Sequence, residues 1–115
     1  MKISAIVLTF NEEKIIAGCL KALAFADELI VIDNNSSDQT VEIAKRTGAR
    51  IYTFPGLNFA RMRSFAKSKA AYNWLLYVDA DELVTPALAS EIVRAVTKSY
   101  SGYLLVRKNY FFKKA

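Results

Sequence analysis

The run LLYVDADELVTP, Leu75 to Pro86, climbs from apolar residues into the acids Asp79, Asp81 and Glu82. Asp79 and Asp81 flank Ala80, and in extended backbone alternate side chains point to one side. Two carboxylates on one side make a hard-oxygen site for Mg2+ or Mn2+. Such ions keep waters and add substrate phosphates to one or two protein carboxylates. The plainer alternative is a polar loop whose acids favour the next helix N-terminus. The tripeptide alone does not decide between them; its place after a buried run favours a site.

A second polar cluster is VIDNNSSDQT. Asp33 ends an apolar run, and Asn34, Asn35, Ser36 and Ser37 form turns and caps. Either this is an ordinary strand-to-helix loop, or Asp33 and its neighbours also meet a nucleobase or ribose. A third cluster follows Thr9: Asn11, Glu12 and Glu13 could line a pocket or simply start a helix. FARMRSFAKSKAA carries Arg61, Arg63, Lys67 and Lys69. This segment could set an arginine against phosphates or be a solvated helix face. Cys19 sits on an apolar stripe, where core packing is expected. Trp74 and Tyr77 are expected to pack in or around a strand.

The elements that must position these residues alternate. Strands are expected at Ile3–Phe10, Glu28–Asp33, Ala49–Phe54, Asn73–Asp79 and Gly102–Lys108, from short apolar runs bounded by turn signals. Between them lie amphipathic segments. Asn11 is expected to cap the first, with Ile16, Leu20 and Leu23 as its stripe. Ser36 and Gln39 fit a capping box for the second, which ends near Gly48. Phe59, Met62, Ala66 and Ala70 mark the third. Thr85 caps the fourth, Pro86 takes its first position, and Leu88, Ile92 and Val96 form its apolar face. Alternation of this kind predicts a Rossmann-like α/β fold: an open parallel sheet with helices on both faces. The expected strand order is 3-2-1-4 plus a fifth strand. Ligands of such sheets bind beyond the strand C-termini, at the switch between the first and fourth strands. The three polar clusters should converge there.

Composition narrows the chemistry. The chain has 115 residues, 53% of them hydrophobic, enough for one domain with a core. The net charge of +5 favours anionic partners. The absence of histidine excludes a Ser-His-Asp arrangement and His-ligated zinc. One cysteine excludes an internal disulfide framework and makes a reducing compartment the default. The apolar N-terminal stretch is too short for a signal peptide and lacks a cleavage site, and no run spans a membrane. No G-x-G-x-x-G follows any strand, which argues against a dinucleotide oxidoreductase. The basic residues are scattered and no nucleic-acid-binding module is present, so no nucleic acid is expected as a partner.

Taken together, the stretches resemble the nucleotide-sugar-binding half of the family-two glycosyltransferases with the A-type (nucleotide-diphospho-sugar transferase) fold. AIVLTFNEE is similar to that family's opening strand and Asn-Glu turn. LIVIDNNSSDQTVEIA resembles its VVDDGSTDGT segment, and MRSFAKSKAAYNWLLYVDADE its ARNxGIxxAxGEYIxFLDADD segment. The match covers essentially the whole chain in order. WLLYVDADELVTP and RKNYFF look like the bacterial lipopolysaccharide core β-glucosyltransferase branch.

The resemblance implies roles. Asp81 would ligate a divalent metal, Mn2+ or Mg2+, that bridges the donor's diphosphate. Asp79 would contact the ribose or sugar or assist at the metal. Asp33 would contact base or ribose, and Thr9, Asn11 and Glu12 would line the donor pocket. Arg63 falls on the arginine of ARN and would meet base or phosphates. Asn34 replaces the family's second aspartate, so any base contact there is by an amide. The reaction implied is inverting transfer of a sugar, foremost from a UDP-sugar, to a hydroxyl of a glycan or lipid-linked acceptor. Lipopolysaccharide or another cell-envelope glycan would be the product, made in the cytoplasm or at the inner membrane face by a protein touching the membrane only peripherally. The catalytic base of such enzymes lies well downstream of Asp-x-Asp, and only Glu91 is acidic after Glu82. Residues 1–115 are therefore expected to be a single donor-binding domain ahead of the acceptor-binding part. The alternative is a nucleotide or nucleotide-sugar binding module without turnover.

Overall fold

A computed structural model describes residues 2–56, 58–97, 103–107 and 110–114. The chain runs β1 (Ile3–Thr9), α1 (Ile16–Ala22), β2 (Glu28–Asp33), α2 (Thr40–Arg46), β3 (Arg50–Thr53), α3 (Phe59–Lys69), β4 (Trp74–Asp79), α4 (Pro86–Thr97), β5 (Tyr103–Arg107) and β6 (Tyr110–Lys114). One sheet holds the strands in the order β3-β2-β1-β4-β6-β5. The expected order 3-2-1-4 is present, with β1 parallel to both β2 and β4, and β2 parallel to β3.

Two features beyond β4 differ from expectation. The fifth strand is not β4's neighbour: β6, which the sequence reading did not separate from the tail, lies between them and is antiparallel to both. The outer residues of the expected fifth strand, Gly102 and Lys108, lie outside the described residues.

The strands alternate between two cores. Ile3, Ala5 and Val7 of β1 and Trp74, Leu76 and Val78 of β4 face one side. There they meet Ile16, Cys19 and Leu20 of α1, Ala44 of α2 and Leu88, Ile92 and Val96 of α4. Ile6, Ile30, Ile32, Leu75 and Tyr77 face the other side and pack on Met62 and Ala66 of α3. Strands buried on both faces read as continuous apolar runs, which is why β1, β2 and β4 were legible. No helix among the described residues is long and apolar enough to cross a membrane.

The helix starts need two corrections. Asn11 does not cap α1: the helix begins at Ile16 after a turn in which the Ile15 and Ile16 N–H groups both donate to the Glu12 carbonyl. Ser36 and Gln39 do not form a capping box either, since α2 begins at Thr40 without a side-chain cap. Both residues bond across to the β1–α1 loop instead. The expected end of α2 is present, with Gly48 at φ +85. Thr85 does cap α4, accepting from the Leu88 N–H at 3.2 Å. In α3, Asn58 is the cap and accepts from the Arg61 N–H at 3.1 Å.

Candidate functional site

The parallel register brings three strand ends level: Thr9 lies beside Asp33, and Leu8 beside Asp79. The Asn34 N–H extends the ladder to the Thr9 carbonyl, and the Ala80 N–H extends it to the Leu8 carbonyl. The polar clusters therefore meet at one edge, as the alternation predicted. A cleft of about 310 Å³ opens there. Leu8, Thr9, Phe10 and Glu12 form one wall, and Asp79, Ala80 and Asp81 another, with Asn34 and Met62 between.

Asp79 and Asp81 share this cleft for a reason other than strand alternation. The strand stops at Asp79, and a turn follows in which the Glu82 N–H donates to the Asp79 carbonyl at 2.9 Å. Ala80 turns into the core while both aspartates stay exposed. Burial pushes the Asp79 carboxyl above its ordinary value, Asp81's charge adds to that, and Arg63's charge opposes it. A buried Asp79 carboxyl beside the charge of Asp81 fits a cation, which would offset both penalties. No group of three acid or thiol ligands exists among the described residues. The donor set is thus two carboxylates, matching a hard ion that keeps its waters and takes phosphate oxygens.

Under this turn lies Cys19, whose thiol is 3.9 Å from the Asp79 carbonyl oxygen. Burial, then the charges of Asp81, Asp79 and Glu82, push its thiol up to about 12. It stays protonated and packs, as expected.

The remaining candidates separate into liners and framers. Thr9 is 5% exposed, and its Oγ1 has no hydrogen-bond partner among the described residues. Asn34 lines the cleft and Asp33 does not. Asp33 is 2% exposed, with Oδ2 accepting from the Ser36 N–H at 2.8 Å and Oδ1 from the Ser36 hydroxyl at 2.5 Å. Asn11, at φ +49, is not among the residues that line the cleft: its N–H donates to Ser36 Oγ, and its Oδ1 accepts from the Ser37 N–H, both at 2.8 Å. The Glu12 N–H donates to Thr40 Oγ1, the Glu13 N–H to Asp38, and the Gln39 N–H to Glu13. Asp33 and Asn11 thus build a clasp between the β1–α1 and β2–α2 loops. Arg63, on α3, sets its guanidinium 5.7 Å from the centroid of the Tyr77 ring, close enough to Asp79 to act on its charge.

Phe10 was missed. It is 54% exposed in the cleft wall and offers an aromatic face. The sequence placed it as the last residue of a strand, and nothing in its neighbours marks which way it turns.

Comparison with known proteins bears on this geometry. The model of the family described as Glycosyl transferase family 2 matches residues 4–115. An uncharacterized glycosyltransferase of Rickettsia typhi is 42% identical over 92 residues, covering 79% of this chain and 32% of the relative. The lipopolysaccharide core biosynthesis glycosyltransferase LpsC of Rhizobium meliloti is 24% identical over 117 residues, covering 96% of this chain and 43% of LpsC. Among solved structures, glucosyl-3-phosphoglycerate synthase of Mycobacterium tuberculosis, in complex with Mn2+, UDP-glucose and phosphoglyceric acid, has a TM-score of 0.70 at 25% identity, covering 89% of this chain and 41% of that one. The chain thus spans about a third of the length of the Rickettsia relative.

Proposed function

The chain belongs to glycosyl transferase family 2, and from that membership we propose that residues 1–115 form one domain that holds a nucleotide-diphosphate sugar, foremost a UDP-sugar, in the cleft between β1 and β4. One observation carries the reading. Asp79 and Asp81 share a cleft with Thr9, Phe10 and Asn34, at the strand ends where the sheet order reverses. The mycobacterial complex with Mn2+ and UDP-glucose supports the ligand class.

Asp81 would hold a divalent cation, Mn2+ or Mg2+, with Asp79 sharing it or meeting the ribose or sugar. When bound, such an ion offsets the charge that develops on the departing nucleotide diphosphate. The protein's own groups do the rest. Phe10 offers a stacking face for the base, and the Thr9 hydroxyl a hydrogen bond that would otherwise go unmade. Glu12 would add a contact to the donor from the same wall. Arg63, beside Tyr77 and Asp79, would bring positive charge to the phosphates. Asp33 and Asn11 would act by holding the loops rather than by touching the donor.

The acceptor hydroxyl would attack the anomeric carbon from the face opposite the leaving diphosphate, so the product is inverted. Its proton would pass to a carboxylate outside this donor half. A lipopolysaccharide or other cell-envelope glycan as the product is supported by the likeness to LpsC; a glycan or lipid-linked acceptor at the cytoplasmic membrane face belongs to the same proposal.

Calorimetric titration of UDP with Mn2+ and with chelator tests the core of this reading. Metal and nucleotide should favour each other by about 1–3 kcal/mol, equally in both directions. Asp81→Asn should abolish that coupling and leave the fold intact, because the residue is exposed. Equal binding by wild type in both conditions would reduce the acids to a helix-start role.

A further inference from the structure

The positive charge of this chain is unevenly spread. Residues 43–78 hold seven cations and no acid, and the rest of the chain holds nine cations and eleven acids. The net charge of +5 therefore comes from this one stretch, and all seven of its cations are exposed.

The fold gathers them along one edge. β3 is the outermost strand, with α2 packed on one face of the sheet and α3 on the other. Lys45 and Arg46 lie in the last turn of α2, Arg50 opens β3, and Lys69 closes α3. Lys69 Nζ stands 5.4 Å from the ring centroids of both Tyr52 and Phe65, and the Arg50 guanidinium 5.6 Å from that of Tyr52. Two elements thus bring their cations to one ring. At the other end of β3, Arg61 lines a groove with Phe54. Two acids are near: Glu28 pairs with Arg50 at 2.6 Å, and Glu42 lies one turn before Arg46. Lys45, Arg46, Arg61 and Lys69 form no ion pair among the described residues.

The edge lacks what other anionic partners require. A specific protein interface centres on apolar or aromatic anchors. The exposed large hydrophobics among the described residues are Phe10, Ile15, Leu83 and Val93, none of which belongs to α2, β3 or α3. Single-stranded nucleic acid stacks on open ring faces. Here Tyr52 and Phe65 meet edge to face at 5.7 Å, with cations over both. A broad positive edge without an anchor matches a broad anionic surface, the phosphate headgroups of a bilayer.

We propose that the β3 edge, through Lys45, Arg46, Arg61 and Lys69, is the surface on which this protein lies against a membrane of anionic lipid. An edge laid on a bilayer leaves the strands running along it. The cleft beyond their C-termini then opens along the membrane rather than away from it. This deepens the membrane-face reading above, on which it rests, and leaves the donor cleft untouched.

Cosedimentation with vesicles tests it. Wild type should bind vesicles of equimolar phosphatidylglycerol and phosphatidylcholine, and not vesicles of phosphatidylcholine alone. Combining Lys45→Gln, Arg46→Gln, Arg61→Gln and Lys69→Gln should weaken binding by at least about tenfold, since each cation near an anionic bilayer contributes roughly fivefold. A control removes equal charge elsewhere, with Lys2→Gln, Lys14→Gln, Lys21→Gln and Arg94→Gln, all exposed. It should bind nearly as well as wild type. A cooperative urea transition shows that each variant is folded. If the fourfold edge variant does not fold, the pairs Lys45→Gln with Arg46→Gln and Arg61→Gln with Lys69→Gln carry the same comparison. Equal losses in edge variant and control would mean that net charge acts without a surface, and would overturn the proposal. So would wild type that ignores anionic vesicles, or that binds an RNA duplex in their place. Titration of UDP with Mn2+ reports separately on the donor cleft, so either reading can fail alone.

Discussion

Thr9 and Arg63 show how a single residue can be tested for service to a ligand rather than to the fold. The Thr9 hydroxyl is buried without a partner among the described residues. Such a group costs about 1–3 kcal/mol when nothing satisfies it. Thr9→Val removes the hydroxyl and keeps the shape, so denaturant unfolding should find the unliganded variant no less stable than wild type. Calorimetry should find it weaker for UDP with Mn2+. Loss of stability with unchanged binding would make the hydroxyl structural. Arg63 lies close enough to Asp79 to act on its charge, and Arg61 lines a separate groove with Phe54. Arg63→Ala should weaken UDP binding by about 1.5–3 kcal/mol and Arg61→Ala by less. Equal, small losses would return both to a solvated face. At this scale the sequence named clusters that the fold brings to one edge of the sheet, but not which of their members line the cleft. Asp33 and Asn34 are neighbours of similar type, and only the tertiary structure separates them: one is buried on Ser36, the other lines the cleft.

Elements were legible where their signals are local. Thr85-Pro86 marks the start of α4, and the Leu88, Ile92 and Val96 stripe is buried as its spacing required. Asn11 and Ser36 have the same capping chemistry, yet they bond across to each other's loop, an alternative open to short polar side chains. No periodicity encodes that choice. At the other end of the strands, Glu28 joins three elements: its carboxylate accepts from the Ser4 hydroxyl at 2.8 Å, the Ala71 N–H at 2.9 Å and Arg50 at 2.6 Å. Burial alone would raise this carboxyl, but the bonds from Ala71, Ser4 and Arg50 outweigh it and hold it below its ordinary value of 4.5. A carboxyl depressed by folding adds stability above its unfolded pKa and loses it as pH falls through its folded one. Glu28→Gln should therefore cost about 1.5–3 kcal/mol at neutral pH. The gap from wild type should narrow as pH drops below 4.5. A gap that is constant with pH, measured by urea unfolding, would assign Glu28 a packing role only.

The whole molecule follows from one reversal. Strands β1 to β3 step in one direction, β4 returns to the far side of β1, and the crevice lies at the join. That order was legible because alternating runs buried on both faces admit few arrangements. The insertion of β6 was not, because an antiparallel strand needs no helix before it. The stretch YFFKK reads as a tail until its partner is known. In the fold Phe111 and Phe112 pair in register with Tyr77 and Leu76. The acids sit in a chain of net charge +5. That positive balance favours the approach of an anionic donor to a cleft whose own carboxylates would repel it.

The clasp between the first two loops carries a consequence for motion. Five amides donate across the clasp: those of Asn11, Glu13, Ser37 and Gln39 to side chains of the opposite loop, and that of Glu12 to Thr40, the first residue of α2. None belongs to a helix or strand, so neither loop can release its protons to solvent without parting from the other. In deuterium exchange these five positions should behave as one cooperative unit with a common opening free energy, well below that of the β1–β2 ladder. Five unrelated rates would mean that the loops breathe separately and that the clasp is only a set of individual contacts.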